Sequence, residues 1–289
     1  MKRREESNLN ANVRLMTRSD SEFAVDLANQ ENWNYDLEDL DRLQFLFPKG
    51  CFIAEHERKR AGWVVACTYG DLAWISSLVV SSNLRGKGIG AALVNHAVRY
   101  AHDMGVKTVG LYSYMWSIGF YEKVGFRRNC DFDYVVGKGR RVDVRTETQR
   151  VARFDEVVGF DHEYFRGDRR PLLDLLHRQY PGLLLKLQRT DLLGYIAGKS
   201  YSDDSAEIGP WVCDSTQAEV AEQLFAAEIS RLESRSIGLT IPCENLEARR
   251  IVDKYGFQVK QKVHRMLMGR TEDLPRIEGI HAAAGLDVG

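Results

Sequence analysis

The amino-acid sequence predicts an α+β fold, a mixed α/β sheet flanked by helices, and predicts it twice within 289 residues. Short apolar runs of strand length alternate with stretches of helical periodicity, and three such runs follow one another with turn residues between them. One six-residue pattern also occurs in both halves, as Tyr121-Glu-Lys-Val-Gly-Phe126 and as Val252-Asp-Lys-Tyr-Gly-Phe257. Each copy closes a short helix on a Gly-Phe pair.

The first half reads in order from a polar stretch, residues 1–12, expected to be a disordered tail. Residues 13–16 form a short strand. Ser19-Asp20-Ser21 then opens a helix that turns Phe23, Val25, Leu27 and Ala28 inward. Asn32-Trp33-Asn34-Tyr35 is a loop, and residues 36–47 are a second, acidic helix stopped by Pro48. Residues 51–55, 62–68 and 73–80 are three strands with short turns between them, which favours antiparallel hairpins. A glycine-rich turn leads into a helix over 89–103, where Ile89, Leu93, Ala97 and Tyr100 recur at helical spacing and Gly105 ends the run. A strand over 106–112, a short helix over 117–123 and a strand around 132–136 complete the half.

Residues 137–150 are rich in charge, which places a junction near residue 145 and two domains at 13–145 and 146–289. In the second half, residues 183–187, 194–198 and 206–213 supply three strands, 217–233 a helix and 237–241 the strand after it. The glycine turn is missing there: its place is taken by Cys213-Asp-Ser-Thr-Gln217.

Composition narrows the classes. Forty basic and 41 acidic side chains leave a net charge of −1, with no sign of a nucleic-acid binder. No apolar run approaches the roughly 20 residues of a membrane span, so a soluble, cytoplasmic protein is expected, monomeric or homodimeric. The five cysteines are widely spaced and include no Cys-x-x-Cys pair, so neither a metal site nor a disulfide framework is expected. The histidines are scattered without a partner pattern.

Chemistry concentrates in residues 85–91, Arg-Gly-Lys-Gly-Ile-Gly-Ala. A diphosphate needs several N–H donors converging on it and no side chains in the way. Gly86, Gly88 and Gly90 let the backbone curl around an anion, and the helix that starts there adds its unpaired N–H groups and positive dipole end. Arg85 and Lys87 add charge at the rim. A Walker loop is discounted, because Lys87 precedes two of the glycines and no Ser or Thr follows it. A dinucleotide fingerprint is disfavoured, because the next strand ends Leu111-Tyr112-Ser113-Tyr114 without a carboxylate.

The run from Val80 to Ala91 resembles the Arg/Gln-x-x-Gly-x-Gly/Ala motif of the GNAT superfamily of N-acetyltransferases, and Phe120-Tyr-Glu-Lys-Val-Gly-Phe126 resembles its later Tyr-containing motif. The second half is similar to the degenerate GNAT-like domain of a tandem subfamily, through Ile208-Gly-Pro-Trp211, Ile241-Pro-Cys-Glu-Asn245 and Arg265-Met266. The resemblance implies acetyl-CoA as co-substrate. Leu78, Val79 and Val80 would offer backbone groups to the pantetheine arm from a strand that splays from its neighbour. Arg85, Gly86, Lys87, Gly88, Ile89, Gly90 and Ala91 would hold the pyrophosphate. An amine would attack the thioester directly, a backbone N–H near Val79 would stabilise the oxyanion, and Tyr121 would protonate the leaving thiolate. Asp71 and Glu55 are candidates for the general base. Trp33 and Tyr35 lie where such proteins shape the acceptor pocket, or they simply cap the core.

Two departures stand out. The polar Asn that the family often places eleven residues before the Gly of Gly-Phe is Tyr114 in the first half, whereas the second half keeps it as Asn245. Conversely, Val252 replaces the tyrosine there, so one catalytic site per chain is expected. The acceptor is a small-molecule amine or a protein amino group. The alternative is a non-enzymatic acyl-CoA sensor or scaffold.

Overall fold

The computed structural model describes residues 11–143, 147–151, 153–270 and 274–289. Residues 1–10 of the expected tail and the expected junction at residue 145 lie outside them, while Ala11 and Asn12 already belong to the first strand. The chain folds as two compact units, Met1–Gly110 and Leu111–Gly289.

The first unit contains β1 (Ala11–Leu15), α1 (Ser21–Asn29), α2 (Leu37–Leu46), β2 (Cys51–His56), β3 (Lys59–Tyr69), β4 (Leu72–Val80), α3 (Ile89–Asp103) and the start of β5 (Thr108–Tyr114). Its sheet runs β1-β2-β3-β4-β5. Two-residue turns dictate the antiparallel pairs. Glu57 and Arg58 both take left-handed backbone between β2 and β3, and Gly70 does so between β3 and β4, which matches the right-handed twist of the strands. The long crossover through α3 makes β4 and β5 parallel, in register over Leu72–Trp74 and Thr108–Gly110. Gly110 is required there: a Cβ would stand 2.5 Å from the Trp74 indole that crosses it. Helix α3 buries Ile89, Leu93, Val94, Ala97, Val98 and Ala101, one continuous face, against β3 and β4. Arg14 on β1 and Arg60 on β3 converge on buried Asp20 at 2.8 and 2.7 Å. Burial alone would raise that carboxyl's pKa, but hydrogen bonds from Arg14 and Thr17 outweigh it and hold the group well below the carboxylate range.

The second unit contains α4 (Ile118–Lys123), β6 (Arg127–Lys138), β7 (Gln149–Arg150), α5 (Phe154–Phe165), α6 (Arg170–Gln179), β8 (Leu184–Gln188), β9 (Leu192–Ser200), β10 (Ser205–Cys213), α7 (Ala218–Arg231), β11 (Ser236–Pro242), α8 (Leu246–Lys254), β12 (Gln258–Gly269) and β13 (Ile280–Ala282). From β7 to β12 the element order repeats that from β1 to β6. Here the sheet runs β12-β6-β11-β10-β9-β8-β7, with β13 on β10. Strand β6 comes from the first sequence repeat, yet it pairs antiparallel with β11 and with β12 of the second. Compactness therefore divides the chain ahead of β6, not after it. The core of this unit gathers Trp211, Phe225, Leu239, Ile251 and Phe257 between the sheet and helices α7 and α8.

Candidate active site

In the first unit the anion turn is continuous with the strand before it. Beyond β4 a single 3₁₀ turn, Ser82–Leu84, leads to Arg85. Gly86 and Gly88 take φ of +77° and +82°, left-handed backbone that a side chain would strain. Gly88 caps α3 without any side-chain bond, so the helix opens with bare N–H groups. Among the described residues the amides of Ile89, Gly90 and Ala91 have no acceptor; the first intrahelical bond near this end runs from the Ala92 N–H to the Gly88 carbonyl, 3.0 Å. Nothing stands within 4 Å of the place a Gly86 Cβ would take. Three unpartnered donors at the positive dipole end of a helix, beside the open Gly86, are suited to a diphosphate. Arg85 has another task. Its Nε donates to the Val80 carbonyl (3.0 Å) and its guanidinium pairs with Glu31, so it ties the turn to β4 and to the loop after α1. Lys87 is exposed as Arg85 is, but has no ion pair among the described residues.

Strand β4 is not regular. Ser76 pairs with Val65 and Val79 with Trp63, so Ser77 and Leu78 together face Val64. This is a bulge, and Ser77 has φ +53° within it. The bulge re-aims the strand just before Val79 and Val80 reach the turn.

The loop after α1 delivers Tyr35 to the same bulge. Asn29, the last residue of α1, clamps the Tyr35 backbone from both sides: its Oδ1 accepts the Tyr35 N–H (2.7 Å) and its Nδ2 donates to the Tyr35 carbonyl (2.8 Å). Left-handed Asn32 and Asn34 make the tight path between them possible. The Tyr35 ring then packs edge-on against Trp63 and 6.3 Å from Trp33, and its hydroxyl shares a 2.9 Å hydrogen bond with the Ser77 hydroxyl. Tyr35 is thus both a core cap and a lining of the bulge. Ser77 and Asn29 escaped the sequence reading: a bulge formed by Ser-Leu in an apolar strand has no compositional mark.

Asp71, one of the two candidate bases, stands away from the bulge. It lies in the β3–β4 turn, at the opposite end of β4 from Val79, a separation of roughly 20 Å or more along the strand. It is 64% exposed and pairs with Lys107 at 2.5 Å. Glu55, on β2, pairs with Arg14 of β1 at 2.8 Å, two strands from β4. Asp71 lies at the far end because position beside a strand says nothing about which end of it faces the chemistry, whereas the register Ala54–Gly62–Val80 puts Glu55 level with the turn end of β4.

Tyr121 belongs to the second unit. It sits half-buried on α4 between Phe120 and Phe126, whose rings meet it at 5.0 and 6.0 Å. Its backbone carbonyl accepts the Phe126 N–H (3.0 Å), which closes the helix, while its phenol has no hydrogen-bond partner among the described residues. Burial, with Tyr114 adding to it, pushes the phenol well above its ordinary value, so it stays protonated and able to donate. Tyr114 stacks on exposed Trp116 at 4.7 Å.

The second repeat places different chemistry at the matching helix start. Between β10 and α7 the Asp214 carboxylate accepts both the Thr216 N–H (2.9 Å) and its hydroxyl (2.8 Å). The turn before α7 therefore carries a carboxylate, and α7 begins at Ala218 with Gln217 as its N-cap and no side-chain cap bond.

Comparison with known proteins agrees with this architecture. Residues 16–126 match the acetyltransferase (GNAT) family model, and residues 157–281 match an acetyltransferase (GNAT) domain model. An N-alpha-acetyltransferase of Arabidopsis thaliana is 34% identical over 92 residues, 29% of this chain and 48% of that protein. An uncharacterized N-acetyltransferase of Methanocaldococcus jannaschii is 35% identical over 91 residues, 27% of this chain and 38% of that protein. The chain thus spans half or less of the length of these relatives. Among solved structures, a putative acetyltransferase from Pyrococcus horikoshii matches with a TM-score of 0.83 at 21% identity, covering 97% of this chain and 96% of its own. A GCN5-related N-acetyltransferase from Sphaerobacter thermophilus matches at 0.69 and 17%, covering 92% and 98%. Both likenesses concern the fold.

Proposed function

We propose, for a chain that belongs to the GNAT acetyltransferase superfamily and carries two of its domains in tandem, a function as an acetyl-CoA-dependent N-acetyltransferase with one active site. The observation that carries this reading is the uninterrupted series in the first unit: bulged strand, left-handed glycine turn, and a helix whose first amides are unpartnered. The amides of Ile89, Gly90 and Ala91 bind the pyrophosphate, with Lys87 as counter-charge. Leu78, Val79 and Val80 orient the pantetheine arm along the strand edge. Trp33, Tyr35 and Ser77 shape the acceptor side, where a small-molecule amine or a protein amino group enters.

Acetyl-CoA supplies the thioester. The neutral amine attacks its carbonyl carbon, the C–N bond forms as the C–S bond breaks, and Tyr121 gives its phenolic proton to the departing thiolate. The amine loses a proton in the same turnover, and its acceptor is water or a carboxylate other than Asp71. The second repeat is a degenerate, non-catalytic domain: Val252 stands where Tyr121 does, and Asp214 puts a carboxylate in the turn where the first repeat has glycines.

The experiment is a screen of amines and peptide N-termini for acetyl-CoA-dependent release of free thiol, with acetyl-CoA binding measured by calorimetry. Binding with one equivalent per chain and thiol release with some acceptor class are the expected results. No binding of acetyl-CoA or another acyl-CoA would sink the reading. Binding without turnover over the whole screen, unchanged by Tyr121→Phe, would favour an acyl-CoA sensor instead.

A further inference from the structure

The second repeat carries its own version of the β4 bulge, and something lies against it. In β10, Ile208 pairs with Gly198 and Trp211 with Ile196, so Gly209 and Pro210 together face Ala197. Matching the two bulges puts Trp211 and Val212 where Val79 and Val80 stand. Strand β10 also pairs parallel with β11 only at its start, Ser205–Glu207 with Ser236–Gly238. Beyond that the two strands part, and β13 enters between them. Ala282 pairs with Trp211 and Ile280 with Val212, while the Ala283 N–H donates to the Thr240 carbonyl of β11 at 2.9 Å.

The fit is specific. A Cβ at Gly209 would stand 2.0 Å from the Ala283 carbonyl oxygen, so the bulge accommodates the segment only because it carries glycine. Asn245 caps α8 through its Oδ1, which accepts the Ala248 N–H, and its Nδ2 donates to the Ile280 carbonyl at 2.9 Å. The His281 ring lies 4.8 Å from the Trp211 ring. Further on, the segment leaves the bulge towards the loop between α5 and α6. Lys199 donates to the Ala284 carbonyl (3.4 Å), and buried Arg169 donates to the Gly289 carbonyl (3.2 Å). That loop is the counterpart of the one that carries Trp33 and Tyr35.

We propose that residues 280–289 are the resident ligand of the second repeat's substrate cleft: they run from the helix-α7 end of β10, past the bulge, to the acceptor-side loop, and close this repeat to acyl-CoA with the chain's own backbone. The assignment rests on the proposed function for the meaning of the matching cleft in the first unit. The groove is a site for one extended strand, and the peptide satisfies it through the same strand edge that Val79 and Val80 offer. Its residues Ile280, His281, Ala282, Ala283 and Ala284 are all buried, so it belongs to the folded unit and is not a loose tail.

Hydrogen–deuterium exchange on the full-length chain tests this, with and without saturating acetyl-CoA. Amides of 280–284 are expected to exchange as slowly as those of β9 and β10. Acetyl-CoA should protect residues 85–91 and leave 212–217 and 280–284 unchanged. Asn245→Asp keeps the α8 cap but loses the donor to Ile280, so exchange at 280–284 should rise about tenfold, the effect of one buried hydrogen bond. Exchange in β3 and β4 should not move. Gly209→Val, which intrudes on the segment directly, should raise exchange at 280–284 further. Exchange of 280–284 at the rate of free peptide in the unaltered chain would overturn the proposal. So would acetyl-CoA accelerating exchange at 280–284 while protecting 212–217, because the cleft would then be open to cofactor. Absence of protection at 85–91 would count against the proposed function alone and leave the exchange of the segment to be judged separately.

Discussion

Strands β4 and β10 are built alike and end differently. Each follows an antiparallel partner, bulges two residues against one, and feeds a long helix that packs back on its sheet. After β4 the chain turns on left-handed glycines and presents bare amides; after β10 it turns on Asp214, whose carboxylate accepts from Thr216 and places a negative charge ahead of the helix. The β4 bulge carries Ser77 and receives a tyrosine hydroxyl, whereas the β10 bulge carries Gly209 and receives a backbone. Duplication preserves the architecture because the core demands it. The proposed binding depends on a few residues at one strand end, outside the core that both repeats share.

The largest test of that contrast is at the helix starts. Gly88→Glu puts a carboxylate into the anion turn at a strained φ and should weaken acetyl-CoA binding by more than about a hundredfold in calorimetry. Ser215→Glu, in the corresponding turn of the second repeat, should leave the affinity unchanged. Equal losses from the two would erase the distinction between the repeats.

Next in size is Tyr121→Phe, which should lower kcat by about a hundredfold, within the usual range for a general acid, and leave acetyl-CoA affinity intact. Because burial raises the phenol's pKa, its protonated form persists as pH rises past the ordinary phenol value of about 10. The wild-type kcat should therefore show no alkaline decline from Tyr121 below that pH. A decline centred near pH 8 that vanishes in Tyr121→Phe would contradict this environment.

A smaller effect is expected at the bulge. Tyr35→Phe and Ser77→Ala each remove one hydrogen bond between the acceptor-side loop and β4, and should reduce kcat/KM for the amine about three- to tenfold. The double variant should lose no more than either single one, since both remove the same bond. Additive losses would separate the two residues' roles.

A separate contrast, in stability and not in activity, concerns the helices themselves. Helix α3 buries only apolar side chains, but α7 buries Glu228, neither of whose oxygens has a partner among the described residues. Desolvation raises its pKa well above the ordinary glutamate value, so the folded state holds the proton after the unfolded state has released it. Stability should accordingly fall as pH rises above about 4.5, by up to about 1.4 kcal/mol per pH unit until the folded pKa is reached. Glu228→Gln should raise Tm at pH 8, and the gain should shrink towards pH 5. A gain independent of pH would point to packing instead.

How much was legible follows from the range of each cause. The glycine turn could be read because alternate glycines before an apolar-periodic helix have few other physical reasons. The repeat could be read because both copies close a helix on Gly-Phe. Tyr35 was visible as an aromatic in a loop, but its target was not, since the Ser77 bulge depends on the register between β3 and β4. Asp71 misled for a related reason: adjacency in sequence to a functional strand placed it at the wrong end. Arg85 sits in the motif as expected, yet its partners, Val80 and Glu31, draw its charge into holding the turn.

Residues 280–289, Ile-His-Ala-Ala-Ala-Gly-Leu-Asp-Val-Gly, carry no alternation and little strand propensity, and the sequence reading passed over them. Their partners lie tens of residues away, on β10 and β11. Local chemistry, meaning backbone freedom at glycine, helix capping and apolar period, was enough to specify most elements of the first half, the duplication and the glycine turn, because each depends on neighbours within a few positions. Which strand edge is covered by residues 280–284 and which is not was decided by pairing across long loops. Hydrogen-bond partners in a sheet are chosen by space, and space is set only when the whole sheet has formed.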